Sequence, residues 1–129
     1  MARRRPEADR MQQVFPTLRI TDYARSQRFY VDGLGFQIDW EHRFDTRDPV
    51  FVQVTRDGLS LYLSEHAGDG QVGGLVHLYV ADVDAWYAEL VSRGLEVAAA
   101  PRNQPWGNRD LRIVDPDGNQ LCLCTPIRP

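Results

Sequence analysis

The sequence predicts an α+β fold in which two tandem βαβββ modules form curved mixed sheets around a cleft. Three observations lead there: a repeat at an offset of 60 residues, a capped amphipathic helix after the first strand of each repeat, and period-two alternation in the remaining strands. Leu18-Arg19-Ile20-Thr21-Asp22 matches Leu78-Tyr79-Val80-Ala81-Asp82, and Asp57-Gly58-Leu59-Ser60-Leu61-Tyr62-Leu63 matches Asp117-Gly118-Asn119-Gln120-Leu121-Cys122-Leu123. Two matches at one offset imply one supersecondary unit used twice.

The first unit opens with a strand over Val14 to Ile20. Asp22 then stands where an N-cap accepts backbone N–H groups. Tyr23, Ser26, Phe29 and Tyr30 fall three and four apart as one helical stripe, and Gly33 and Gly35 can end the helix. Strands follow over Phe36 to Phe44, Val50 to Thr55 and Leu59 to Ser64, with Arg56-Asp57-Gly58 as the last tight turn. In the second unit, Leu75 to Val80 is the first strand, and Asp82 caps a helix carrying Val83, Trp86, Tyr87 and Leu90, which stops at Gly94. Residues 95–100 read as a strand, Pro101 to Gly107 as a loop and Asp110 to Val114 as a strand. Asp115-Pro116-Asp117-Gly118 then turns into the final strand. The organisation expected is a tail over residues 1–12, a first module over 13–66 and a second over 67–129, the two modules together making one domain.

Strand parity sorts the side chains. Leu18, Ile20, Leu61, Leu63, Leu78, Val80, Leu121 and Leu123 share the parity that packs beneath the helices, because successive strand residues face opposite sides. The other parity holds Phe15, Thr17, Arg19, Ser60, Tyr62, Ser64, Leu75, His77, Tyr79, Gln120, Cys122 and Cys124. Either it is a solvated face or it lines a cleft. Its rings favour the cleft.

Composition narrows the chemistry. A chain of 129 residues with 43% apolar and 26% charged residues suits a single packed domain. No apolar run approaches a membrane span and no secretory signal is visible, so the expected location is the cytoplasm, with no membrane partner. The formal net charge is −3, but residues 1–10 hold four Arg against Glu7 and Asp9, so the body is more acidic than the total. An acidic body disfavours nucleic acid and suits neutral or cationic ligands. Arg3, Arg4 and Arg5 read as a solvated tail, and Met11 is an alternative start. No lysine is present, which removes lysine Schiff-base chemistry and Walker-type phosphate loops. Cys122 and Cys124 lie two apart in a strand, too far for an unstrained disulfide. Buried structural thiols are the expectation, a soft-metal pair the alternative.

Phe29-Tyr30 followed by Leu34-Gly35-Phe36, the helix entry Asp82-Val83-Asp84, and Asp115-Pro116-Asp117-Gly118-Asn119 give a more specific signal. Over residues 13–125 the chain resembles the vicinal oxygen chelate superfamily, and within it the glyoxalase/bleomycin resistance proteins. Gln104-Pro105-Trp106-Gly107 looks like a loop of the antibiotic-sequestering members. The resemblance implies metal ligands at the first and fourth strands of each module. Phe15, Tyr62, Leu75 and Cys122 stand at those positions, and they are no donor set for a hard divalent ion. No metal, cofactor or catalytic residue is therefore expected.

The resemblance then implies a homodimer that sequesters a cationic, aromatic, bleomycin-like antibiotic. Trp40 and Asp39 match a cleft aromatic and its acidic neighbour, and Trp106 matches a loop tryptophan. Phe44, Asp45, Tyr62, His77, Tyr79 and Cys122 complete the expected ligand-binding set, with rings for stacking and carboxylates for charge. Two alternatives stay open at this stage. Trp40 shares parity with Phe36 and Ile38 and could belong to the core, and Trp106 could cover a sheet edge. His42 and His66 read as surface residues. Two other functions also remain: a glyoxalase- or dioxygenase-type metalloenzyme with a rearranged site around His77, Tyr62 and Cys122, and a regulatory or scaffold module with a vestigial cleft.

Overall fold

The structure, a computed structural model, describes residues 11–127. The Arg-rich segment at 3–10, expected as part of a tail, lies outside the described residues. Strand β1 (Thr17–Arg19) leads into helix α1 (Tyr23–Gln27), which widens into a π-helical stretch over Arg28–Gly33. Strands β2 (Gln37–His42), β3 (Phe51–Arg56) and β4 (Leu59–Ser64) follow. A short 3-10 turn at Ala67–Asp69 connects to β5 (Leu75–Tyr79) and α2 (Val83–Ser92), then β6 (Arg102–Asn103), β7 (Asn108–Val114) and β8 (Gln120–Pro126). Two four-stranded mixed sheets result, ordered β1-β4-β3-β2 and β5-β8-β7-β6. In each the first strand runs parallel to the fourth and the other pairs are antiparallel.

Local chemistry accounts for the element ends. The Asp22 carboxylate accepts from Arg25 N at 3.2 Å and that of Asp82 from Ala85 N at 3.1 Å, satisfying N–H groups that an uncapped helix would leave free. Asp57 and Gly58 adopt φ of 51° and 79°, as a two-residue hairpin with the twist of its strands requires. One expectation fails: residues 95–100 form no strand. Leu95 and Val97 do pack against the core, but Ala98, Ala99 and Ala100 offer little to hold on a pleated surface. The pairing with β7 falls instead on Arg102 and Asn103, inside the segment expected to be loop.

The eight residues assigned to the helix-facing parity are all buried, and they join Tyr30, Trp86 and Leu90 from the helices in one core. Each contributes roughly 1.5–3 kcal/mol by leaving water. The turn at Asp115–Asn119 links the modules. Tyr30 Oη donates to Asp115 Oδ2 at 2.7 Å, while Asp115 Oδ1 accepts from the N–H groups of Asp117 and Asn119. Asn119 donates to the Arg19 carbonyl at 2.8 Å and accepts from the amides of Gly73 and Gly74. Burial, reinforced by the adjacent Asp115 carboxylate, holds the Tyr30 hydroxyl protonated far above the usual tyrosine range. Arg56 makes a second link, donating to the Leu34 carbonyl and to Glu89 while its guanidinium lies 3.7 Å from the Trp86 ring centroid. No helix among the described residues is long and apolar enough to cross a membrane.

Candidate functional site

The helices cover one side of each sheet, and the candidate site lies on the other. On the first sheet every strand or its flank contributes a ring. Phe15 stacks on Tyr62 with centroids 4.9 Å apart and planes 23° from parallel. Tyr62 lies 4.8 Å from Phe51, and Trp40 lies 5.7 Å from Phe51 and 5.8 Å from Tyr62. Four rings thus make a continuous platform across the sheet, at separations where aromatic pairs attract.

The parity of Trp40 decides whether the platform exists. Strict alternation would send it to the core with Phe36 and Ile38. The ladder shifts there: Ile38 pairs with Val54, but Trp40 pairs with Gln53, so Asp39 is the extra residue of a β-bulge. The bulge turns Trp40 onto the open face, where 40% of it is exposed, and excludes the core reading. Asp39 stands beside the platform, accepting from Gln53 Nε2 at 2.8 Å and from Thr55 Oγ1. Phe51 continues the platform into a groove of about 480 Å³, lined also by His42, Phe44, Pro49 and His66. Phe44 is 79% exposed there, with its ring 4.8 Å from His42 and 6.3 Å from His66. Local sequence does not mark Phe51, His42 and His66 as site residues. The pairing of Phe51 with His42 across β2 and β3 is the register that assembles them.

The remaining expected site residues lie elsewhere. His77 and Tyr79 are exposed on β5, and both line a shallow cavity of about 440 Å³ with Val14 and Pro16. Tyr79 Oη accepts from Asn108 Nδ2 at 3.2 Å. Trp106 is 67% exposed on the loop before β7 and shares a cavity of about 430 Å³ with Cys122, Asp110, Arg102 and Arg112. Asp45 is exposed in the β2–β3 loop, where its carboxylate accepts from Thr46 N. Within one chain, then, Trp40, Asp39, Tyr62 and Phe44 gather on the first sheet, and Trp106 and Cys122 on the second.

The positions where the superfamily would place a hard metal do not fit one here. Phe15 and Tyr62 fill their two with stacked rings, and Leu75 offers no donor. Among the described residues the grouping whose donor atoms converge is Asp110, Cys122 and Cys124, all buried, and His77 is not part of it.

Comparison with known proteins agrees with this architecture. The family profile described as glyoxalase superfamily protein matches residues 7–128. The chain belongs to the glyoxalase superfamily. Its structure is similar to that of TnmS3, an antibiotic binding protein from Streptomyces sp. CB03234, at 30% identity over 90% of this chain and 97% of that one, with a TM-score of 0.72. A bleomycin-binding protein complexed with bleomycin matches at 26% identity over 89% of this chain and 98% of its own, also with a TM-score of 0.72. Among sequence relatives, the uncharacterised protein YraH of Bacillus subtilis is 27% identical over 115 residues, covering 81% of this chain and 90% of YraH. This superfamily member thus has the vicinal oxygen chelate fold shared by bleomycin-binding and antibiotic-binding proteins.

Proposed function

We propose that the protein binds a planar, cationic antibiotic-like molecule and sequesters it without chemical turnover. The observation that carries this reading is the ring platform of Phe15, Tyr62, Phe51 and Trp40, opened to solvent by the bulge at Asp39. A flat heteroaromatic group laid on it gains about 0.5–1.5 kcal/mol per ring pair beyond burial. The carboxylate of Asp39 at its edge favours positive charge on the ligand, and the Phe44 groove gives length for a substituent. The antibiotic-binding and bleomycin-binding neighbours support the ligand class.

One chain leaves the platform with a single wall. We infer that a second copy supplies the other, in a homodimer that brings the exposed Trp106, His77 and Tyr79 of one protomer toward Trp40 and Tyr62 of its partner, while Cys122 lies buried behind Trp106. The exposed apolar side chains Trp40, Leu75, Tyr79 and Trp106 support such a pairing. Sedimentation velocity tests it: a two-chain species at micromolar concentration is expected, and a monomer at all concentrations would contradict it.

Titration of chelator-treated protein with bleomycin, followed by tryptophan fluorescence, tests the ligand. Saturable quenching is expected, with Trp40→Ala weakening binding by about tenfold, or 1.4 kcal/mol. Absence of saturation, or an affinity unchanged in Trp40→Ala, would reject the proposal.

A further inference from the structure

The second sheet holds a cluster that ligand stacking does not use. Cys122 and Cys124 are two apart on β8, so both side chains point to the same face. The antiparallel register sets Asp110 opposite Cys124 and Arg112 opposite Cys122. One donor atom from each of Asp110, Cys122 and Cys124 lies within 4.8 Å of the others. Both cysteines are fully buried, and Asp110 is 9% exposed.

Three features of the cluster call for an occupant. First, the Sγ atoms are 3.7 Å apart, far beyond a disulfide bond. That spacing matches the edge of a tetrahedron with metal–sulfur bonds of about 2.3 Å, which is about 3.8 Å. Second, Asp110 Oδ1 is buried with no hydrogen-bond partner, a condition that native proteins rarely tolerate in a carboxylate. Third, Asp110 and Cys122 both line the cavity of about 430 Å³, which gives the cluster an entry path and room for a further ligand. Burial raises both thiols above their ordinary range, and Cys124 Sγ turns to the Cys122 carbonyl at 3.4 Å.

We propose that Asp110, Cys122 and Cys124 form a binding site for a thiophilic divalent cation of tetrahedral preference, with zinc as the fitting ion. Two sulfurs and one oxygen supply three positions, leaving the fourth to water or a small molecule from the cavity. Thiolates disfavour calcium and magnesium, and the carboxylate disfavours the softer copper(I). As the two metal–sulfur bonds form, the two thiol protons leave to solvent. Two thiolates and a carboxylate then surround a doubly charged ion, and Arg112 offsets the residual negative charge. Within one chain the site is separate from the ring platform, since its residues lie on β7 and β8 while the platform rings come from the first sheet and its flank. It stands whether or not the platform binds an antibiotic.

The test is cobalt(II) titration of the full, reduced, chelator-treated chain, followed by displacement with zinc. One equivalent of cobalt is expected to give a thiolate-to-cobalt charge-transfer band and the visible bands of a tetrahedral ion, both removed by zinc. Cys122→Ala and Cys124→Ala should each lose about half the charge-transfer intensity or all binding. Asp110→Asn should lower the affinity while the band persists. Far-UV circular dichroism checks that each variant folds. Wild-type protein alone can overturn the proposal: cobalt bound only at the exposed His42 or His77 or the half-buried His66 shows no thiolate band. A band unchanged in both cysteine variants would overturn it as well.

Discussion

The two sheets share a lattice and differ in what stands on it. Register places Phe51 opposite Ser64 in the first module and Asp110 opposite Cys124 in the second. Likewise Gln53 faces Tyr62 where Arg112 faces Cys122. Equivalent backbone positions therefore carry Phe51, Tyr62 and Ser64 on one sheet and Asp110, Cys122 and Cys124 on the other. The first set makes a surface for flat rings, and the second gathers donors around a point. The turns diverge as well: Arg56–Leu59 is the shortest hairpin, whereas Asp115–Asn119 is one residue longer and binds the modules together. The repeat preserves the helix-facing side, where packing restricts change, and diversifies the face and turns, where it does not.

If the longer turn is the joint, breaking it should cost far more than altering its counterpart. Asp115→Ala strands the amides of Asp117 and Asn119 and the Tyr30 hydroxyl, and should destabilise by on the order of 3–5 kcal/mol in urea unfolding. Asp57→Gly, at positive φ in the short turn, should change stability by less than about 1 kcal/mol. Equal losses would show that the turns are interchangeable.

Tyr30→Phe removes only one charge-assisted bond to Asp115 and should cost about 1.5–3 kcal/mol in the same assay. On the open face the contrast reverses, because function rather than stability is at stake. Tyr62→Ala should weaken antibiotic binding about tenfold, since Tyr62 contacts all three other rings. Cys124→Ala, at the buried cluster of the second sheet, should leave that affinity within about twofold.

Much of this contrast was legible in sequence where local chemistry carries it. The Asp22 and Asp82 caps, the Asp57-Gly58 turn and the eight helix-facing residues are set by neighbours along the chain. Other parts depend on pairing across strands. The bulge at Asp39 reverses the face of Trp40, yet a single extra residue leaves no mark in alternation. The joining of Phe44 with His42 and His66 follows from the path of a loop. Asp110 is twelve residues from Cys122 in sequence, and only the antiparallel return through the 115–119 turn sets it beside the thiols. Counting register back through that turn is the signal that could have found it.

The smallest effect concerns the second joint. The hydrogen bond from Arg93, then that from Arg56, holds the Glu89 carboxyl below its usual value. A lowered folded pKa contributes stability above the unfolded value of about 4.3, and that contribution disappears as pH falls through the folded value. Glu89 is well exposed, so solvent screening limits the gain to less than about 1 kcal/mol. Glu89→Gln should therefore lower Tm slightly at neutral pH and converge with wild type in acid. A constant difference across that range would mean that the pairing with arginine contributes nothing.

The position of a bound antibiotic distinguishes the two faces most directly. In a crystal grown with bleomycin or a smaller planar cation, density for the flat group is expected on Trp40 and Tyr62, with its positive end toward Asp39. A ligand lodged in the Cys122 cavity with the ring platform empty, or recovered chemically altered, would contradict the account.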